Sequence, residues 1–392
     1  MRILLLAVVW LYAVNIAIAQ EIEALDQSKL NFRQLEKIIN QEVDRPAVPS
    51  LSFALIHRNE VVFSHQTGVL KAGDEAQVTN QTVYEVASLS KPVFAVGVLR
   101  LAEQGLIDLD KPLYKYLPFD ELEKTDKSYR TVTARMVLAH TSGFPNWRWF
   151  DKPPASVGIT RGDMFMKAAP GEFSYSGEAY HYLARVVMKL TDADEKSLDK
   201  VLTELVPVKD NSDIFWTWDP SLSQRKAFGH KQGEPTDRDW PMSFPDDTSD
   251  KIGVAGRLHT NAETYAHFLT ALYNEQYINR RSLMKMFTVQ SAIPPDTFDY
   301  KSNCLVGWGL GVALGASEFG SRHYHGGNNG DFQSGFTIYR SGEIGFVFVT
   351  NGDDGERLHR LFESIIENGT PLPTNGKPAP KARHISFLAQ HF

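Results

Sequence analysis

Apolar positions recur along this chain in three rhythms, and each predicts a different kind of element. Leu51 to Ile56 and Val61 to Phe63 are short apolar runs on either side of the polar turn His57-Arg58-Asn59-Glu60, with Gly68 closing the pair, which predicts a β-hairpin. A second hairpin follows from Gly335 to Tyr339 and Ile344 to Thr350, joined by Arg340-Ser341-Gly342-Glu343. Helical spacing marks Phe32 to Ile39, Gly177 to Leu190, Asn261 to Tyr273 and Glu356 to Glu367 as amphipathic helices. Strand regions at opposite ends of the chain predict one sheet completed by both ends, with a mostly helical stretch between.

The third rhythm is continuous. Tyr84 to Leu106 is apolar on nearly every face, so its helix must be buried among other elements. Pro92 suits a helix start near Leu89, because the first N–H groups of a helix have no intrahelical partner, and Gly105 suits its end. Ser88 and Lys91 stand three residues apart, which puts a hydroxyl and an amine over the same side of the first turn.

The S-x-x-K spacing occurs four times, at Ser88, Ser197, Ser223 and Ser282. The last three fall in polar runs or at an exposed helix start, and only Ser88 joins a strand-like segment to a buried helix. Taken alone, Ser88 reads equally as a helix cap and as a nucleophile.

Two further stretches carry candidate chemistry. Pro170-Gly171-Glu172-Phe173-Ser174-Tyr175-Ser176-Gly177 presents a tyrosine hydroxyl at a loop-to-helix junction, either as a packing aromatic or as a proton carrier. His323-Tyr324-His325-Gly326-Gly327-Asn328-Asn329-Gly330 places glycines where an edge strand would let a substrate backbone approach. His323, His325 and Asp331 also invite a metal reading, but no H-E-x-x-H or comparable partner set accompanies them, and we expect neither metal nor cofactor. His140 reads as a structural hydrogen-bonding residue. No G-x-S-x-G elbow occurs, which argues against an α/β-hydrolase.

Composition narrows the setting. The 392 residues have the hydrophobic and charged fractions of a globular protein, enough for two domains or one composite one. Arg2, the apolar run Ile3 to Ile18 and Ala17-Ile18-Ala19 before Gln20 predict a cleaved secretory signal over residues 1–19, with an uncleaved anchor as the alternative. The run is short of the ~20 residues a membrane span needs, so we expect an exported protein without stable membrane insertion. The formal charge of −6 becomes −7 once Arg2 is removed, which disfavours nucleic acid as a partner. Cys304 stands alone, so no internal disulfide holds the chain. Trp216 to Asp250 predicts a long loop region, and the residues from Pro371 an extended basic tail.

Taken in order, Y-E-V-A-S-L-S-K-P, L-A-H-T-S-G-F-P, P-G-E-F-S-Y-S-G, G-V-A-G-R-L-H-T and H-G-G resemble the successive signatures of the serine β-lactamase and penicillin-binding protein superfamily, in particular its class C β-lactamase-like branch. The resemblance covers roughly Leu51 to Glu367. It implies an α/β (α+β) fold, an antiparallel sheet flanked by helices and built from both ends of the chain, with a mostly helical inserted domain. We place the α/β domain at residues 20–105 and 296–370 and the helical domain at 106–295, with 371–392 as a tail.

The resemblance also implies roles. Ser88 matches the acylated nucleophile, Lys91 its base partner and Tyr175 the tyrosine of the second motif; His325-Gly326-Gly327 takes the place of the K-T-G triplet, and the backbone N–H groups of Ser88 and Asn328 would form the oxyanion hole. Two departures bear on substrate. Gly177 stands where β-lactamases have the asparagine of Y-x-N, and His325 replaces a permanent cation with a titratable group. Both point to the esterases and peptidases of the branch, acting on a small ester, amide or peptide. A true β-lactamase or D-amino-acid peptidase, and a cell-wall peptide-binding protein without chemistry, remain the alternatives.

Overall fold

The computed structural model describes residues 21–370, apart from 154–157, 159, 209–212, 217–221, 223, 237–252 and 341–342. The expected signal sequence, the tail from Pro371 and much of the Trp216 to Asp250 region lie outside the described residues.

The two hairpins form at either end of the chain. Strands β1 (Ser50–His57) and β2 (Glu60–Gly68) pair antiparallel, and Arg58 and Asn59 between them both adopt left-handed backbone, at φ 53° and 59°. A two-residue loop with both φ positive matches the right-handed twist of its strands. After helices α1 (Phe32–Glu42), α2 (Ser90–Glu103), α3 (Ala134–Leu138), α4 (Gly177–Thr191) and α5 (Ala262–Tyr273) comes β3 (Ser291–Ala292), then α6 (Phe298–Asn303). Strands β4 (Leu305–Trp308), β5 (Ala313–Ser317), β6 (Gly320–Asn328), β7 (Gln333–Tyr339) and β8 (Ile344–Thr350) follow, and α7 (Gly355–Asn368) closes the described chain. All eight strands make one antiparallel sheet in the order β2-β1-β8-β7-β6-β5-β4-β3. The two hairpin regions from opposite ends of the chain therefore meet inside the sheet, where β1 lies beside β8, one strand in from the β2 edge.

The central strands are buried on both faces, and alternate residues feed two cores. Leu51, Phe53 and Leu55 of β1, with Phe346 and Phe348 of β8, pack against Leu35 and Ile39 of α1 and Leu358 and Phe362 of α7. Ala54, Ile56, Val347 and Val349 belong to the larger core on the other face, with α2, α4 and α5. Within that core α2 buries Lys91, Val93, Phe94, Val96, Val98 and Leu99. The Ser52 hydroxyl accepts the first N–H of α5, at 3.0 Å, anchoring that helix on the sheet.

The start of α2 differs from a simple helix mouth. Ala87–Leu89 is a separate 3-10 turn, and the α-helix begins at Ser90. The far end follows the sequence, with Gly105 left-handed at φ 75°. Strand β6 is interior, paired with β5 and β7, so the glycines of His325-Gly326-Gly327 do not lie on a sheet edge in the full sense. Pairing with β5 stops at Tyr324, however, while pairing with β7 runs on to Asn328, which leaves one side of His325 to Asn328 open.

Candidate active site

The turn that carries Ser88 is fixed from four directions. Val86 donates its N–H to Leu258 O at 2.9 Å and accepts from Ser334 Oγ at 2.7 Å. Ser90 Oγ donates to Ala87 O at 2.6 Å and accepts from the Leu258 N–H at 3.0 Å, while the Tyr265 hydroxyl donates to Leu89 O at 2.9 Å. Ala87 itself is held at φ 49°, a conformation that costs a non-glycine residue about 1–3 kcal/mol and persists only where the surroundings enforce it. The strained residue lies directly before the half-exposed Ser88.

Strand β6 passes close beside this turn because Gly327 has no side chain. A Cβ there would sit 2.5 Å from Val86 O and 3.2 Å from the Ala87 Cβ. The open side of His325 to Asn328 thus faces the Ser88 turn across a cleft of about 380 Å³, lined by Ser88, Tyr175, His325, Gly326, Gly327 and Asn328 among others.

Lys91 lies beneath Ser88, fully buried, with Nζ 3.1 Å from Ser88 Oγ and 2.6 Å from Ala255 O. The rings of Tyr175 and Tyr180 flank it, with centroids 4.8 and 5.6 Å from Nζ. No carboxylate compensates the amine among the described ion pairs, and burial brings its pKa down to about 7. Tyr175 moves the other way: burial raises its hydroxyl above the ordinary tyrosine value, opposed by a hydrogen bond with Ser88.

Both histidines of the site are uncharged. Burial, reinforced by the neighbouring Lys91 charge, brings His325 down to about 3, and its Nδ1 lies 2.9 Å from Gly326 O. That carbonyl can only accept, so the proton of the neutral ring sits on Nδ1. His140 is held well below its usual value by burial and by Lys91. It accepts the Ser176 N–H at Nδ1, 3.0 Å, and stacks on the Tyr175 ring at 4.1 Å, so it orients the second motif as the structural histidine expected there.

Tyr175 is presented by the residues that start α4. Ser176 caps the helix, accepting from the Ala179 N–H at 3.0 Å and donating to Pro145 O at 2.7 Å. Gly177 cannot carry a side chain without displacement, since a Cβ would meet the Trp147 ring at 2.5–2.8 Å. Asn146 beside that tryptophan lines the cleft, and its Oδ1 accepts the Gly177 N–H at 3.0 Å. An asparagine amide is therefore present on this wall, supplied by a different segment from the one the Y-x-N pattern leads one to inspect.

Ser88, Lys91, Tyr175, His325, Gly326, Gly327 and Asn328 are thus brought together and others join them, whereas His323, hydrogen-bonded to Tyr273 at 2.7 Å, and Asp331, bonded to Thr236, do not line the cleft. Ala255, whose carbonyl receives Lys91, comes from the Gly253 to Thr260 segment, a recognised signature without an evident role. Trp308 packs edge-on against His140, Tyr175 and His325, at 4.7, 5.5 and 5.4 Å. Asn146 and Asp299 also line the cleft. Among the described residues, no group of three or more His, Cys, Asp or Glu has metal-site geometry, and no helix is long and apolar enough to cross a membrane.

The family model described as Beta-lactamase matches residues 35–367. Penicillin-binding protein 4* of Bacillus subtilis (strain 168) is 22% identical over 348 residues, covering 83% of this chain and 73% of that protein. Among solved structures, the octameric penicillin-binding protein homologue from Pyrococcus abyssi superimposes with a TM-score of 0.65 at 19% identity, covering 92% of this chain and 77% of that one. The D-amino acid amidase from Ochrobactrum anthropi SV3, complexed with L-phenylalanine, gives 0.64 at 19% identity, covering 85% and 98%.

Proposed function

The chain belongs to the beta-lactamase family, and from that premise we propose that it is an exported serine hydrolase that cleaves an ester or amide through an acyl-enzyme on Ser88. The observation that carries the reading is the buried amine of Lys91, 3.1 Å from Ser88 Oγ, with its pKa brought to about 7. A serine hydroxyl needs a neighbouring base to attack, and an amine that is half unprotonated at neutral pH supplies one.

In this reading Ser88 Oγ attacks the substrate carbonyl while its proton passes to Lys91. The Ser88 and Asn328 backbone N–H groups receive the developing oxyanion, each donor being worth about 3 kcal/mol in the transition state. Tyr175, whose hydroxyl holds its proton more firmly than a free phenol, is the carrier that delivers a proton to the leaving group and regains it from Lys91. Water then attacks the acyl carbonyl, the same groups work in reverse, and Ser88 is released. No metal or cofactor takes part.

One feature favours an esterase or amidase over a β-lactamase or D-amino-acid peptidase: His325, uncharged at neutral pH on the cleft wall, offers no cation to a substrate carboxylate. Short-chain p-nitrophenyl esters, nitrocefin and a D-alanyl-D-alanine peptide, assayed with the wild type and Ser88→Ala, test the proposal. Ester turnover that Ser88→Ala abolishes is the expected result. Turnover of nitrocefin or the peptide in preference to esters would move the assignment within the family, and ligand binding with no Ser88-dependent turnover would leave a binding protein. Export is tested by the mass of the secreted chain, which should begin at Gln20.

A further inference from the structure

Beyond Ser88 the cleft runs along β6 towards α6 and α7, and there its walls are charged. Each cation on them already has an anion: Arg322 pairs with Glu363, and Arg360 with Glu356. His325 adds no charge. Asp299, in the first turn of α6, is half-buried on the same wall, and among the described residues no Lys or Arg pairs with it; its side-chain partner is the Asn303 amide at 3.2 Å. Its field reaches Tyr175 and Tyr324, where it helps hold both hydroxyls protonated. Phe298, the residue before it, lines the cleft with 58% of its surface exposed. Neither that phenylalanine nor an unpaired carboxylate among paired charges contributes to the core. A carboxylate bordered by aromatic faces is suited to an organic cation, since it supplies a counter-charge and the ring faces attract positive charge.

We propose that Asp299 is a specificity residue for a positively charged substrate group, so that the cleft takes esters or amides bearing an ammonium and disfavours those bearing a carboxylate. The inference rests on the reading of Ser88 as the acyl acceptor and names the substrate class of that site. It also accounts for the two-sided departure from carboxylate recognition: the histidine removes a cation, and the aspartate adds an anion.

Two matched series test it. On the leaving side these are acetylthiocholine, its tert-butyl isostere with carbon in place of nitrogen, and a thioacetate bearing a carboxylate; on the acyl side, p-nitrophenyl aminocaproate, hexanoate and adipate. The expected result is a kcat/KM that is roughly tenfold higher for the cation than for the neutral isostere in at least one series. Asp299→Asn should bring that ratio towards one, Asp299→Glu should keep it, and Asp299→Lys should turn it in favour of the anion. Ratios cancel any loss of folded enzyme. A ratio near one in both series, or one that survives Asp299→Asn, overturns the proposal. Failure of every ester to acylate wild-type Ser88 overturns the underlying reading as well, and intact mass tells the two failures apart.

Discussion

The two ends of the cleft are built by opposite means. At the Ser88 end the polar groups are buried, Lys91 completely so, and burial moves their protonation: the amine falls to about 7, and His325, with the Lys91 charge adding to the effect, to about 3. Backbone strain at Ala87 and His140, both left-handed, is concentrated there. At the far end, Asp299, Glu356 and Arg360 keep contact with water on α6 and α7; Glu356 and Arg360 pair with each other, and Asp299 meets only the Asn303 amide among the described side chains. Desolvation makes groups reactive and requires a rigid frame, whereas half-exposed charges discriminate between ligands at little cost to the fold. In the proposed reading the chemistry sits where the core holds it, and the selection on half-exposed side chains.

The largest effect that could break this contrast is at Ser88. Ser88→Ala should lower kcat by at least about 10³-fold without lowering Tm, read by ester hydrolysis and calorimetry. Next, Lys91→Met should cost about 10²–10⁴-fold in kcat/KM. The wild-type profile should rise with pH through about 7, because protonated Lys91 cannot accept the serine proton. The same substitution should stabilise the fold. Between pH 7 and about 10.4 the unfolded chain binds a proton at this lysine that the folded chain does not, so wild-type stability rises with pH across that window, and below it the penalty is complete. The Tm gain of Lys91→Met should therefore be greatest at pH 6 and vanish near pH 10.5; an unchanged Tm throughout would mean that the amine is well solvated.

Smaller changes sharpen the comparison. His325→Lys places a cation in the buried half, and it should raise the relative kcat/KM for carboxylate-bearing esters by roughly tenfold while costing stability, since that charge lies in a desolvated position. Gly177→Ala should cost about 1–3 kcal/mol by urea unfolding, through displacement of the Trp147 ring. A neutral result there would show that the tryptophan moves freely and that the second motif is less rigid than its packing implies.

The grouping of residues at the Ser88 end was largely legible because its parts are local. Ser88 and Lys91 share one helical turn, Tyr175 precedes a capped helix, and the histidine-glycine triplet leads a strand. The hairpin at Arg58-Asn59 and the stop at Gly105 also follow from residue chemistry within a few positions. What escaped depends on distance in sequence. Ala255 meets Lys91 across 164 residues, and Asn146 meets Gly177 across 31. The left-handed backbone of Ala87 carries no sequence signal, because alanine is ordinary in every other conformation. His325 was read as a titratable group in place of a permanent cation; its burial beside Lys91 could not be read from spacing. Asp299 lies in a short polar stretch that resembles any surface turn until β4 and β6 bring it to the cleft wall.

The central claim is that burial of Lys91 beneath Ser88 creates an activated nucleophile. Its most direct test is the intact mass of the wild-type protein and of Ser88→Ala after incubation with a fluorophosphonate. A single adduct on the wild type and none on the variant is the result this account predicts. An unmodified wild type, or the same adduct on both proteins, would contradict it.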